Sequence, residues 1–213
     1  MELEVVKENK KKISLSAIYG VAILVIIIDQ ISKILVHNFM EMGTLGEIHV
    51  IGDWFRLHYL LNPGMAFGMQ FGNEYGKLLL TLFRIIASGG IVYAIYNLYK
   101  KPTHPGFLIC IAMILGGAIG NAIDSIFYGV LIEGNAIPGS SSPWFHGQVI
   151  DMLYFPMIEG NFPTWLPMIG GDHFLFFSPV FNIADSAIFL GVTFILIFQN
   201  KFTEFEKAHE EKK

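Results

Sequence analysis

Three aspartates inside long apolar runs are the residues of this sequence best suited to chemistry. Asp29, Asp124 and Asp185 each stand among apolar neighbours, where an ionised side chain is costly and therefore marks a functional candidate. Two carboxyls close together at low dielectric do not both ionise readily, so the pair tends to share one proton. Such a pair can accept a proton from water and donate another. This is the acid–base chemistry of peptide hydrolysis.

Asp124 and Asp185 have a local pattern in common that Asp29 lacks. Asn121 precedes Asp124 by three positions, and Asn182 precedes Asp185 by three. This spacing puts the amide and the carboxyl on one face of a helix. The repetition predicts that Asp124 and Asp185 form the acid–base pair, whereas a polar contact that only holds two helices together is the structural alternative.

Supporting residues stand close to these aspartates in the sequence. Asp29 and Lys33 are at i,i+4, which favours an ion pair and predicts a structural role for both. Gly116 and Gly120 have the small-xxx-small spacing that lets a neighbouring helix approach closely. That approach would bring Asp185 alongside the third apolar run.

The elements that must position these residues are membrane-spanning helices. The chain has 213 residues, of which 53% are hydrophobic and only 15% charged, far fewer charges than in soluble domains. Nothing in the composition indicates nucleic-acid binding. Four apolar runs are long enough to cross the bilayer, and they lie at about residues 13–36, 77–99, 106–128 and 176–199.

The basic residues predict how these spans are oriented. They cluster before the first run, between the second and third, and after the fourth, so the positive-inside rule puts both termini in the cytoplasm. Residues 39–76 and 129–175 then form outer connections. Asp29 lies about 16 residues, or roughly 24 Å, along the first helix. Ser178-Pro179 predicts the start of the fourth helix and places Asp185 under two turns in. With Asp124 about one turn from the outer end of its helix, all three aspartates fall near the outer face.

The outer connections carry strand and turn signals. Residues 49–61 mix β-branched, aromatic and polar side chains around Gly52-Asp53 and predict a hairpin, and residues 148–155 could add a strand. Trp54, Trp144 and Trp165 all lie in these connections, as is typical of rings at a membrane–water interface. A small outer sheet is therefore expected beside the helices.

Five motifs together make the sequence similar to a known family. It resembles bacterial lipoprotein signal peptidases, also called signal peptidase II, and the motifs occur in family order. They are Asp29-Gln-Ile-Ser-Lys33, Asn62-Pro-Gly-Met-Ala-Phe-Gly68, Gly116-Gly-Ala-Ile-Gly-Asn-Ala-Ile-Asp124, Val149-Ile-Asp151 and Phe181-Asn-Ile-Ala-Asp-Ser186.

The resemblance implies an all-α integral membrane protein. Residues 1–213 would form one peptidase domain, a four-helix bundle with both termini cytoplasmic, a small extracytoplasmic β-cradle and a long outer loop. It would be an aspartic endopeptidase of the bacterial cytoplasmic (inner) membrane that removes the signal peptide before a lipid-modified cysteine. Its partners would be the prolipoprotein substrate and membrane lipid, without a metal or cofactor, and we expect a monomer.

The resemblance also implies roles for individual residues. The catalytic dyad falls on Asp124 and Asp185. Asp151 lies outside the helices, and we expect it to support the cradle. The residues expected to hold the substrate backbone or to orient the dyad are Asn62, Gly64, Asn121 and Asn182.

The chain departs from the family pattern at two places. Many family members have arginine directly after the third-helix aspartate, whereas this chain has Ser125. The outer segment 133–172, with its Gly/Pro-rich stretches, is longer than the compact family form. Two interpretations of it remain open, a lid over the site and an insertion without a role.

Other functions compete with the peptidase. A proton- or cation-coupled carrier also pairs carboxylates between helices, but it predicts a site near the midplane and repeated halves. A metalloprotease is disfavoured because no His-Glu-x-x-His occurs, and a serine protease because His104 and His173 lie at or beyond the loop edges. A structural adaptor remains an alternative if the two aspartates only clasp helices.

Overall fold

The computed structural model describes residues 13–64 and 74–210 of the chain. Within these residues, four helices are long and apolar enough to cross a membrane, as the sequence predicted. Their outward faces expose many large apolar side chains, which suits a lipid environment. The helices are α1 (Leu15–Phe39), α2 (Glu74–Tyr99), α3 (Pro105–Ile123) and α5 (Ile183–Glu210).

Helix α3 does not end at Ile123 but changes its winding there. Residues Asp124–Tyr128 form one π-helical stretch, and the short helix α4 (Gly129–Leu131) follows it. The wider turn leaves the carbonyls of Ser125 and Ile126 free to accept from Gly147 and Phe145, at N–O distances of 3.0 and 3.2 Å. Because π-helical turns are often found at functional sites, the change of winding at Asp124 indicates a functional region.

The glycines of α3 bring its two neighbours close, as their spacing predicted. A Cβ at Gly116 would lie 2.7 Å from the carbonyl oxygen of Ala22 in α1. A Cβ at Gly117 would overlap the carbonyl oxygen of Ala184 in α5. Helix α3 therefore packs against α1 on one side and α5 on the other through bare backbone.

This close packing makes Gly117 sensitive to a single added methyl group. Gly117→Ala is expected to lower the free energy of unfolding by about 1–3 kcal/mol, because overlap with the backbone of Ala184 forces α3 and α5 apart. Thermal unfolding in detergent measures the change. Gly89→Ala in α2 is the matched control, since a Cβ there meets nothing within 4 Å. Equal behaviour of the two variants would contradict this account of the packing.

The connections at one end of the bundle form a four-stranded antiparallel sheet. The predicted hairpin is present as β1 (Ile48–Ile51) and β2 (Phe55–Asn62), and the predicted third strand is β3 (Val149–Tyr154). A short strand, β6 (Val180–Phe181), pairs with β3 and completes the order β1-β2-β3-β6. The chain therefore passes directly from the sheet into helix α5.

The start of the fourth helix was predicted wrongly. The Ser178-Pro179 signal does not begin it, because Val180 and Phe181 pair with Tyr154 and Leu153 in the sheet. The helix begins at Ile183. Asn182 caps it, with its side-chain oxygen 2.9 Å from the backbone nitrogen of Asp185. Asp185 thus stands in the first turn of α5.

The long connection between α4 and α5, predicted to lie outside the membrane, holds a second, separate sheet. Strands β4 (Ile158–Asn161) and β5 (His173–Phe176) pair only with each other among the described strands. The turn between them presents Trp165 and Met168, which are 77% and 100% exposed. The earlier part of the segment contacts α2, where the Glu74 carboxylate accepts from the amide and hydroxyl of Ser141.

Candidate active site

A buried lysine links two of the three predicted aspartates. The Lys33 ammonium lies 2.8 Å from Asp29 Oδ2 and 2.7 Å from Asp124 Oδ2, and all three side chains are inaccessible to solvent. The i,i+4 pair within α1 is thus present, and it extends across to α3. One ammonium between two carboxylates leaves one negative charge on this group.

Gln30 completes the surroundings of Asp124. Its amide nitrogen lies 2.8 Å from Asp124 Oδ1 and 3.1 Å from Asp29 Oδ2. Its side-chain oxygen accepts from the hydroxyl of Tyr128 at 2.9 Å. Asp124 therefore has an ammonium on one oxygen and an amide donor on the other. Gln30 belongs to the first motif, Asp29–Lys33, but its sequence position alone predicted no role for it.

Asn121 connects this group to Asp185. Its amide nitrogen donates to Asp185 Oδ1 at 2.7 Å. Its side-chain oxygen accepts from Lys33 at 3.1 Å and from Asn182 at 3.2 Å. The Asn-x-x-Asp spacing was expected to put Asn121 beside Asp124 on one helix face, but the Asn121 amide reaches across to α5. Asp185 itself is only partly buried.

Asp151 lies on β3 and is almost completely buried. Two asparagine amides hold it, Asn182 at 2.7 Å from Oδ1 and Asn62 at 2.9 Å from Oδ2. Burial raises the pKa of Asp151 to about 7, and the negative charge of Asp185 adds to the effect, whereas the two amide hydrogen bonds oppose it. Asn182 therefore touches both carboxyl-bearing segments, since it also caps the helix at Asp185.

Gly64 keeps the chain close to this group by adopting a conformation that favours glycine. Its φ is +107°, and its backbone nitrogen donates to Asn62 Oδ1 at 2.9 Å. A Cβ there would overlap the side chain of Leu80 in α2. The remaining part of this predicted outer-loop motif, residues 65–68, lies outside the described residues.

Two cations of α2 also enter the site, and neither was predicted from the sequence. Lys77 Nζ lies 3.3 Å from Ser125 Oγ, and Arg84 Nη1 lies 2.6 Å from the same oxygen. Lys77 is 1% exposed. The signal that could have found Arg84 is its charge inside an apolar run, the same signal that singled out the aspartates.

All the predicted site residues fall into one connected network. Hydrogen bonds and ion pairs of 3.2 Å or less join its members without a break. The members are Asp29, Lys33, Asn62, Gly64, Asn121, Asp124, Asp151, Asn182 and Asp185. Within the described residues, the structure has no group of three or more His, Cys, Asp or Glu arranged to hold a metal ion. The chemistry at hand is that of carboxyls, amides and ammonium groups.

Comparison with known proteins identifies the family to which this chain is similar. The sequence model described as Signal peptidase (SPase) II matches residues 21–201, which include every member of the network. The chain belongs to the signal peptidase II family. The resemblance drawn from the five motifs is thereby confirmed. The chain is a peptidase with several membrane spans, which decides against the carrier and the adaptor.

Individual members of the signal peptidase II family are similar over most of their length. A lipoprotein signal peptidase of Amoebophilus asiaticus is 50% identical over 84% of this chain and 75% of its own length. One of Porphyromonas gingivalis is 47% identical over 82% of this chain and 79% of its own. The similarity therefore covers more than four fifths of this chain.

Solved structures share the fold at lower identity. One bacterial membrane enzyme has a TM-score of 0.59 and 23% identity, and the match covers 90% of this chain and 92% of that one. A second has a TM-score of 0.56 and 25% identity, with 87% and 94% covered. The overall fold of this chain is thus similar to that of two bacterial membrane enzymes of known structure.

Proposed function

We propose that this chain removes the signal peptide from diacylglyceryl-modified prolipoproteins, cutting on the amino-terminal side of the lipidated cysteine. The curated relatives are named lipoprotein signal peptidases, and the network holds its carboxyls at the end of the bundle that carries the sheet. A diacylglyceryl group anchors its cysteine in one leaflet. The scissile bond would then lie at the depth of the carboxyls, in the outer part of the bacterial inner membrane.

Two carboxyls perform the hydrolysis in this proposal, and Asp185 is one of them. It is the only partly exposed carboxyl of the network among the described residues, so water and substrate can reach it. The Asn121 amide orients it through Oδ1 at 2.7 Å. In its ionised form Asp185 takes a proton from the water that attacks the peptide carbonyl.

The partner of Asp185 follows from the surroundings of the two candidates. The sequence favours Asp124, but both oxygens of that carboxyl are already engaged, Oδ2 by the Lys33 ammonium at 2.7 Å and Oδ1 by the Gln30 amide at 2.8 Å. Asp151 is held by neutral amides, and its pKa near 7 leaves it partly protonated at neutral pH. An acid–base pair needs one protonated member. We therefore assign the pair to Asp151 and Asp185, and a buried structural role to Asp124 with Asp29 and Lys33.

The proposed steps conserve every atom and proton. Water oxygen adds to the carbonyl carbon as one proton passes to Asp185, while Asp151 donates its proton to the carbonyl oxygen. The carbon–nitrogen bond then breaks, and the leaving amine takes the proton from Asp185. The tetrahedral intermediate carries two hydroxyl groups, and the proton of one of them returns to Asp151 as the new carboxyl group forms. Asn62, Asn182 and Asn121 keep both carboxyls in position.

A peptide-cleavage assay tests the proposal. Purified protein in detergent with EDTA is expected to cut a prolipoprotein peptide carrying S-diacylglyceryl cysteine and to leave the unlipidated peptide intact. Mass spectrometry in ¹⁸O-water locates the cut before the cysteine and finds one ¹⁸O atom in the released signal peptide. Folded protein that cuts neither peptide, or that needs a divalent metal, would contradict the proposal.

A further inference from the structure

Helix α2 places two positive charges against the carboxyls on the same face. Lys77 and Arg84 are seven residues apart, which is about two helical turns. Both donate to the hydroxyl of Ser125. The carboxylates of Asp124 and Asp151 act electrostatically on both cations, and that of Asp185 acts on Arg84. The two cations thus face the carboxyls from α2.

The Ser125 hydroxyl anchors both cations. It is completely buried, accepts from Lys77 and Arg84, and donates to the carbonyl oxygen of Asn121 at 2.9 Å. A hydroxyl offers one donor and two acceptor positions, so this one is fully used. Ser125 follows Asp124 directly, and the anchor therefore fixes the cations at the level of the carboxyls.

Buried cations are stable only where negative charge compensates them. The titratable and charged groups that face this site come from every packed element, and Glu74 at the start of α2 is already bound to Ser141. The facing groups are Asp29 and Lys33 on α1, Lys77 and Arg84 on α2, Asp124 and Tyr128 on α3, Asp151 on β3 and Asp185 on α5.

The negative and positive charges among these described groups are unequal in number. Four aspartates face three cations, and the undescribed residues 65–73 contain no Asp, Glu, Lys or Arg. With every group ionised the cluster carries one negative charge. A single proton makes it neutral, and low dielectric strongly favours that state. Asp29 and Asp124 have the Lys33 ammonium between them, and the proposed function gives the proton to the other two aspartates.

We propose that Lys77 and Arg84, anchored by Ser125, are positioning residues that keep the Asp151–Asp185 pair singly protonated. This inference rests on the proposed function, since it concerns the same pair. If either cation is lost, the cluster is neutral only when it binds two protons. Both carboxyls then hold protons near neutral pH, and no base remains to activate water.

The pH dependence of kcat/KM is expected to reveal this role. A nearby positive charge lowers a carboxyl pKa by about 1–3 units, so Arg84→Gln moves the acidic limb of the profile upward by about that much. Arg84→Lys keeps the charge and should leave the limb near its wild-type position. Arg56→Gln is the matched control, because Arg56 pairs with Glu47 on the outer sheet, and it should not move the limb.

An infrared titration of the detergent-solubilised protein supplies a second readout that needs no substrate. The C=O band of a protonated carboxyl, identified by its loss in Asp151→Asn, is expected to persist to higher pH in Arg84→Gln and in Lys77→Gln. If Arg84→Gln does not fold, Ser125→Ala tests the same anchor and should shift the band in the same direction.

The two readouts separate failure of the inference from failure of the proposed function. Folded variants whose band and acidic limb stay at the wild-type pH would overturn the role of Lys77 and Arg84. A band that shifts while wild-type protein cuts no lipidated peptide would support the charge arrangement and reject the peptidase substrate. Equal shifts in Arg56→Gln would reduce the effect to net charge and also reject the inference.

Discussion

Asp185→Asn and Asp151→Asn are each expected to lower kcat by about 10²- to 10⁴-fold, the usual contribution of a general acid or base. Asparagine keeps the size of the side chain but neither accepts the proton of water nor donates an acid proton. In Asp185→Asn the amide oxygen can still accept from Asn121. In Asp151→Asn only one of the two amide donors, Asn62 or Asn182, keeps its acceptor, so this variant is expected to fold with lower stability. Initial rates on the lipidated peptide, with thermal unfolding as a check, measure the effect.

Asp124→Asn separates the two possible assignments of the pair. If Asp151 is the partner of Asp185, Asp124→Asn acts mainly on stability, because it leaves Lys33 with one carboxylate instead of two. If Asp124 is the partner, as the sequence alone favoured, Asp124→Asn loses activity while folded and Asp151→Asn keeps it. Near-normal activity of Asp185→Asn would reject both assignments.

Lys33→Met is expected to give the largest loss of stability, about 3–5 kcal/mol in the free energy of unfolding. It leaves the carboxylates of Asp29 and Asp124 buried side by side without the ammonium that lies within 2.8 Å of each. Methionine has a similar length, so cavity formation contributes little. Chemical or thermal unfolding in detergent micelles measures the change.

Two further variants identify the cause of this loss. Lys101→Met makes the same substitution at an exposed position between α2 and α3 and should change stability little. Adding Asp29→Asn to Lys33→Met removes one of the unpaired charges and should restore part of the loss. A Lys33→Met protein as stable as Lys101→Met would show that the buried ion pair does not hold α1 against α3.

The sequence by itself determined the four spans, the hairpin, the third strand and most members of the site. An apolar run of about 20 residues is long enough to cross a membrane as a helix, and the helix pairs all of its backbone polar groups internally. The four spans could therefore be located before the structure. The mixture of β-branched, aromatic and polar residues around Gly52-Asp53 likewise predicted the hairpin. Charged or amide side chains among apolar residues marked Asp29, Asn121 and Asp185, because such placements are rarely accidental.

Only the tertiary structure decided which of these groups touch each other. The Asn121 amide turns to Asp185, which is 64 positions away, and Asn182 reaches Asp151 on the sheet. Such contacts depend on how helices rotate about their axes and where they cross, which hydrophobic periodicity does not specify. The same holds for the start of α5, where pairing of β6 with β3 overrode a good local signal.

The contacts of the two α2 cations could not be predicted from the sequence either. In the sequence Lys77 and Arg84 are two isolated basic residues. Only the packing shows that the Ser125 hydroxyl accepts a hydrogen bond from each of them. The partner of Lys33 across the helix interface was equally hidden. The sequence thus determined the helices, the sheet and the supply of polar groups. The tertiary structure decided their pairing, because ion pairs and hydrogen bonds form over a few ångströms between segments far apart in the chain.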